Sequence, residues 1–199
     1  MKHINKIIPI IILTMLFSSC DVLQQVAEMK TFAKCEFQIK DVSNIELAGI
    51  NVQNKNQLSD FGFLEVAKIT SAFSQGKLPL NLNLNISVKN PNTTPASMNK
   101  LDWILFIDDI EMTRGTSNHR IQIPANNEVT NLPLQMQIDL FQVLSSESAD
   151  AVINFGLNLG GSGNRPTRMM IKIKPSIYIG KKVIAYPGYI KVRNTFTSE

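Results

Sequence analysis

The sequence predicts a mainly β protein, a sandwich of antiparallel strands with one or two helices packed on it. Three observations lead there. Leu78, Leu80, Leu82, Leu84, Ile86 and Val88 alternate with polar residues, the period of a strand with one buried and one wet face. Further runs of period two follow, separated by Pro, Asn and Gly turn signals. Only two segments switch to helical spacing. The 199 residues, 44 % hydrophobic and 18 % charged, suit one globular domain with its own core and exclude a disordered chain. There is no internal repeat or low-complexity tract.

Residues 1–19 read as a signal peptide. Lys2, His3 and Lys6 form a positive start, and Ile7 to Phe17 an apolar stretch too short to span a bilayer comfortably. Ser18-Ser19-Cys20 then resembles the lipobox of bacterial lipoproteins, in which cleavage precedes a cysteine that carries the lipid. Phe17 stands where the lipobox usually has Leu. The other reading is an ordinary secretory signal with an incidental Cys20; two small residues before the cysteine favour lipidation at Cys20. Two of the twenty basic residues and none of the sixteen acids lie in 1–19, so the remaining excess is +2 and nucleic acid is not an expected partner. With Cys20 acylated, Cys35 has no disulfide partner and reads as a small buried hydrophobe rather than a reactive thiol.

Residues 20–31 read as a lipid-anchored tether. Phe32 to Val52 reads as two strands, turning at Ser43-Asn44, with Gly49 a bulge. Asp60 to Gln75 has apolar residues three and four apart (Phe63, Leu64, Ala67, Phe73), which predicts a helix buried on that face. Ser59 or Asp60 would cap it and Gly76 would end it. The strand from Leu78 stops at Asn90-Pro91-Asn92, because Pro91 has no N–H and holds its predecessor extended. Leu101 to Ile110 has apolar residues on both faces, as a central strand with a layer on each side would. Asp108-Asp109 can turn the chain. The run Glu128 to Leu140 alternates, and its Pro133 marks an edge or a bulge. Phe141 to Leu159 predicts a second helix, closed by a flexible Gly160–Gly163 loop. The end of the chain pairs Met169, Ile171 and Ile173 with a return strand of Val183, Ala185 and Tyr189 to Val192. Pro175 and Pro187-Gly188 interrupt these strands.

Several of these features fall in an order that resembles a known family. Asn90-Pro91-Asn92 with Pro95, the apolar strand Leu101 to Asp108, Gly115, then Ile123-Pro124 and a strand ending Ile138-Asp139-Leu140 look like the type 2 late embryogenesis abundant (LEA-2) domain, also called the water-stress and hypersensitive-response (WHy) domain. The match covers about residues 78–140. Asp109 stands where the family usually has a turn glycine. The resemblance implies a fibronectin-III-like β-sandwich over 32–199, with no catalytic residues. It makes Asn90, Pro91, Asn92, Pro95, Gly115 and Pro124 structural markers.

The residues support no catalytic or metal site. His119 has no second histidine or cysteine at ligand spacing. Asp108, Asp109 and Glu111 read as a solvated turn more than an ion site. Ser145-Ser146-Glu147-Ser148 has no activating base, and the glycines at 156–163 lack the Lys-Ser/Thr ending of a phosphate loop. No cofactor is expected.

The last third is basic. Lys172, Lys174, Lys181 and Lys182 either protect a sheet edge or contact an anionic membrane surface. The expectation is thus a non-enzymatic lipoprotein of the bacterial cell envelope, held at the membrane through Cys20. Its role would be structural, stress-protective or binding. Asp21 would direct inner-membrane retention under enteric rules, but the outer membrane is the preferred location. An adhesion or partner-binding module, and a carrier of a lipid-like hydrophobic ligand, stay open as other classes. Envelope protein or lipid are the corresponding partners.

Overall fold

The computed structural model describes residues 21–53, 55, 58–143 and 167–196. The signal peptide, Cys20, most of the second expected helix and the Gly160–Gly163 loop lie outside these residues. Strands β1 (Glu36–Leu47), β2 (Ile50–Asn51), β3 (Pro79–Asn90) and β8 (Glu128–Asp139) form one sheet, ordered β2-β1-β3-β8. Strands β5 (Lys100–Ile107), β6 (Ile110–Ser117), β9 (Thr167–Ile179) and β10 (Lys182–Ala185) form a second, ordered β10-β9-β5-β6, with β11 (Ile190–Phe196) also paired to β9. A short pair, β4 (Ala96–Met98) with β7 (Ile121–Ile123), lies apart from both. Every pairing is antiparallel.

β3 is the strand that the alternation predicts, with its even-numbered residues buried and its odd-numbered ones half-exposed. All twelve of its residues pair with β8, from Pro79↔Asp139 to Asn90↔Glu128. Its leucines meet the inner faces of β5 and β9, where Leu101, Leu105, Ile107, Ile171 and Ile173 are completely buried. Burying each such side chain contributes roughly 2 kcal/mol. Pro133 sits on β8, an edge strand, as its missing N–H requires. Along one flank the sheets are laced together by Asn194 Nδ2 donating to Ile39 O at 3.0 Å.

The second sheet is organised around Trp103. Its partner across the ladder is Gly115, and a Cβ on Gly115 would lie 2.3 Å from the indole Cζ2. The glycine is therefore a seat for the ring. At the far end of this hairpin, Asp108 and Asp109 both take positive φ (49° and 68°), the signature of a type I′ turn. Asp tolerates that region better than most residues, which is why a glycine is dispensable there.

Four expectations are corrected. β1 runs through Ser43-Asn44 as one strand with register shifts; Asn44, at φ 52°, is absorbed as a bulge. The turn falls instead at Ala48-Gly49, both at positive φ. Pro175 does not interrupt β9. It pairs with Leu101 of β5, and on its other side it falls between β11, which pairs up to Ile173, and β10, which begins at Ser176, with Tyr186 N donating to its carbonyl at 2.9 Å. The outer face of β5 is covered by no further layer among the described residues. There Lys172 Nζ lies 4.3 Å from the centre of the half-exposed Phe106 ring.

The last correction concerns the helix α2 (Phe63–Ser74), the next helix after α1 at residues 21–32. Phe63 and Leu64 are 86 % and 80 % exposed, and Ile69, Ala72 and Phe73 make the contact with the core. Phe61, just before the helix, is buried in their place, with Lys55 Nζ 4.7 Å above its ring. The helix starts at Gly62, whose N–H is bonded by the Glu65 carboxylate at 2.9 Å. It ends at Gly76 in a Schellman motif, with Lys77 N donating to Ala72 O and Gly76 N to Phe73 O.

Replacing Gly115 by Ala is predicted to cost about 2 kcal/mol or more, because the indole cannot stay in place. A urea melt of the variant should show a lower midpoint at an unchanged slope. An unchanged midpoint would contradict the seat.

Candidate functional site

The strand directions bring the ends of β3, β4, β7 and the start of β8 to one end of the sandwich, together with the start of β1 and β5 and the close of β6. This upper end gathers most of the residues that the sequence singles out. Asn90 is its centre. The residue is completely buried, and its amide Nδ2 donates to Thr94 O (3.0 Å), Ile123 O (3.3 Å) and Pro124 O (3.0 Å). Its Oδ1 accepts from Asn92 N (3.1 Å) and Asn92 Nδ2 (2.9 Å). One side chain thus ties the loop after β3 to the loop after β7. Backbone bonds complete the tie, with Asn126 N donating to Asn92 O and Asn127 N to Asn90 O. Around it, all exposed, Pro91 and Pro124 follow the last residues of β3 and β7 and Pro95 precedes the first residue of β4.

The segment read as a tether docks at the same end. Residues 21–32 are helical (α1). Met29 and Phe32 are buried in the core, so the packed unit starts inside the expected tether. Phe32 meets Phe37 edge-to-face at 5.3 Å. Glu28 is buried, and its carboxylate accepts hydrogen bonds from Ser97 Oγ of β4 and from Gln24 Nε2 (2.9 Å). Cys35 closes this turn with its thiol donating to Thr31 O. Burial pushes that thiol up to about 11, and the charge of Glu36 adds to the effect. It is therefore a packed thiol and not a nucleophile.

The basic residues divide into two groups. Lys172 and Lys174 lie on the outer face of β9, with Lys191 directly opposite Lys172. Lys174 lies 5.6 Å from the centre of the Tyr189 ring. Lys181 and Lys182 are instead at the tip of the β9–β10 hairpin, beyond Ser176, the last residue of β9 paired to β5. Asp102 is also on the outer face, beside Lys174. Burial alone would raise its pKa; hydrogen bonds from Thr116 and Lys100, with the charges of Lys100 and Lys174, outweigh that and hold it below the usual carboxylate range. Tyr178, Val183 and Ile184 belong to the hairpin that carries these lysines, Tyr189 lies by Lys174, and all four are exposed. Val183 and Ala185, expected inside a return strand, thus face solvent, while Val192 takes the buried position.

The outer face of the other sheet is different in character. Asn81 pairs with Gln137 and Asn83 with Gln135, and with Asn44 and Glu46 they line a shallow groove. Among the described residues, no group of three or more His, Cys, Asp or Glu side chains could hold a metal ion. His119 is exposed in the loop after β6, and Asp108 and Asp109 pair with Arg168. No helix of the described residues is long and apolar enough to cross a membrane.

These features define a two-sheet β-sandwich module whose marked asparagine and prolines are structural. The chain is a LEA-2 domain protein: the family model described as late embryogenesis abundant protein matches residues 85–183. Three solved structures are similar. A crystal structure of a protein from Archaeoglobus fulgidus is 14 % identical, with a TM-score of 0.32, over 61 % of this chain and 86 % of the other. A solution structure from Arabidopsis thaliana is 13 % identical, with a TM-score of 0.34, over 59 % and 70 %. A solution structure of a protein described as late embryogenesis abundant is 13 % identical, with a TM-score of 0.35, over 94 % and 88 %. No curated protein matches the chain. The family assignment rests on the sequence model.

Two outcomes follow from this end of the molecule. Asn90→Ala leaves three carbonyls short of a donor and is predicted to cost about 3 kcal/mol. Ser176→Ala removes a buried hydroxyl without a partner among the described residues, so chemical denaturation should show it neutral or stabilising. An Asn90→Ala variant no less stable than Ser176→Ala would contradict the tie. For Cys35, the folded protein keeps its proton up to about pH 11 while the unfolded chain loses it near the ordinary 9.0. Stability should therefore fall as pH rises between these values, and Cys35 should resist alkylation at pH 8 until the protein is denatured. Rapid alkylation of the folded form would contradict its packing.

Proposed function

We propose that this protein is a non-enzymatic, stress-protective lipoprotein of the cell envelope, anchored through Cys20 and acting by binding or by a structural role. The observation that carries the reading is the LEA-2 match over residues 85–183, since that family is generally non-enzymatic and stress-related. Ser18-Ser19-Cys20 after an apolar stretch supports the anchor, and the outer membrane is the location proposed. The docking of α1 supports the geometry: a lipid at Cys20 would be joined to the sandwich by a helix packed on it rather than by a loose linker.

A second reading, a partner-binding module, is favoured by one observation. Phe63, Leu64 and Val66 are exposed together at the start of α2, an arrangement suited to a protein partner.

Radioactive palmitate fed to cells producing the full chain should label it. Cys20→Ala should abolish the label and Cys35→Ala should leave it. Labelling that persists in Cys20→Ala refutes the anchor.

A further inference from the structure

We infer that the β9–β10 hairpin is a second membrane contact, built to lie on the surface of an anionic phospholipid bilayer. Strands in a sandwich hide one face, yet all four residues of β10 are exposed. The hairpin runs past the end of its neighbour: β5 pairs with β9 up to Ser176, and from there only β10 accompanies it. Gly180, at φ 59°, makes the tight turn at the tip.

The side chains on this projection have a particular chemistry. Tyr178 and Val183 stand opposite each other on one face, and Ile184 is on the other. With Tyr189, which lies by Lys174 at the base of the projection, they make four of the ten large exposed hydrophobics among the described residues. Lys181 and Lys182 are at the tip, and no acidic residue occurs anywhere from Thr167 to Phe196. Tyrosine settles where an apolar body and a wet hydroxyl are both accommodated, and lysine lays its stem on apolar surface while its ammonium meets phosphate. A protein partner would be met by the tyrosines alone. The positive charge of Lys181 and Lys182 at the tip is what an anionic bilayer complements.

Position supplies the second argument. The hairpin leaves the sandwich at the upper end, where Tyr178 Oη donates to Asn118 Oδ1 at 3.3 Å and α1 docks through Glu28. Glu28 is seven residues along the helix from Asp21, about 10 Å at the helical rise. A lipid on the residue before Asp21 and a hairpin at this end would therefore address the same surface. The exposed Phe63 and Leu64 lie with α2 by the opposite end, near Gly76 and Phe141.

The inference deepens the envelope reading, and its test omits the lipid so that the two can fail separately. The chain from residue 21, which holds every element and the whole core described above, is sedimented with phosphatidylcholine vesicles with and without phosphatidylglycerol. It should bind only the anionic vesicles, and less as salt rises. Each lysine near such a surface contributes on the order of fivefold. Lys181→Glu with Lys182→Glu should therefore weaken binding about thirtyfold or more, and Tyr178→Ser with Val183→Ser should weaken it as well. Phe63→Ser with Leu64→Ser, at the opposite end, should leave it unchanged, and circular dichroism checks that each variant is folded. The inference is overturned if the parent does not bind, or if folded hairpin variants bind as the parent does. Binding with Cys20 unlabelled in cells would refute the anchor and leave the hairpin standing.

Discussion

The buried amide of Asn90 is the interaction on which the upper end of this molecule depends. A single buried side chain has five polar partners, its two N–H groups shared among three carbonyls and its Oδ1 accepting from two donors. Such a group stabilises only when every bond is made, so it specifies one arrangement of the loops and penalises all others. Those loops deliver β4 and β7 to each other. β4 in turn presents Ser97 to Glu28, and so fixes where α1 docks. The Asn-Pro-Asn motif is thus explained by what it builds. Asn90 supplies the amide, Pro91 ends the strand, and Asn92 completes the bonding.

A comparable economy holds in the second sheet, where Gly115 exists for the sake of Trp103. The indole fills the space that any side chain at 115 would occupy, and the ring is thereby seated in the core. The two family markers act at different distances from the surface but in the same way. Each removes alternatives from a sheet that could otherwise slip or swell.

The strands were the most legible part of the sequence, because a period of two with Leu, Ile and Val on one side admits few other readings. β3 followed its alternation residue by residue, and Pro133 marked an edge that exists. Helices were less legible. Phe63 and Leu64 have the spacing of a buried face, but spacing does not say which half of a helix touches the core; Phe61 and Ile69 took that place. The tether illustrates the same limit. A short amphipathic stretch is unstable alone, and only the tertiary partners of Glu28, Met29 and Phe32 make it part of the domain. Ser43-Asn44 carried turn chemistry that a bulge could use equally well. As to the site, the lysines were visible as a basic stretch. Their division between a sheet face and a projecting tip depends on where β5 stops accompanying β9, and no local signal records that.

The sandwich is tied at one end by Asn90, and in the orientation we propose α1 and the cationic hairpin face one membrane surface from that end. Hydrogen exchange on the full-length lipidated protein, reconstituted in phosphatidylglycerol-containing bilayers, tests this orientation most directly. The account predicts slower exchange at Tyr178 to Ala185 than in detergent solution, with Phe63 to Ser74 unchanged. Slowed exchange at Phe63 to Ser74, with the hairpin as open as before, would contradict it.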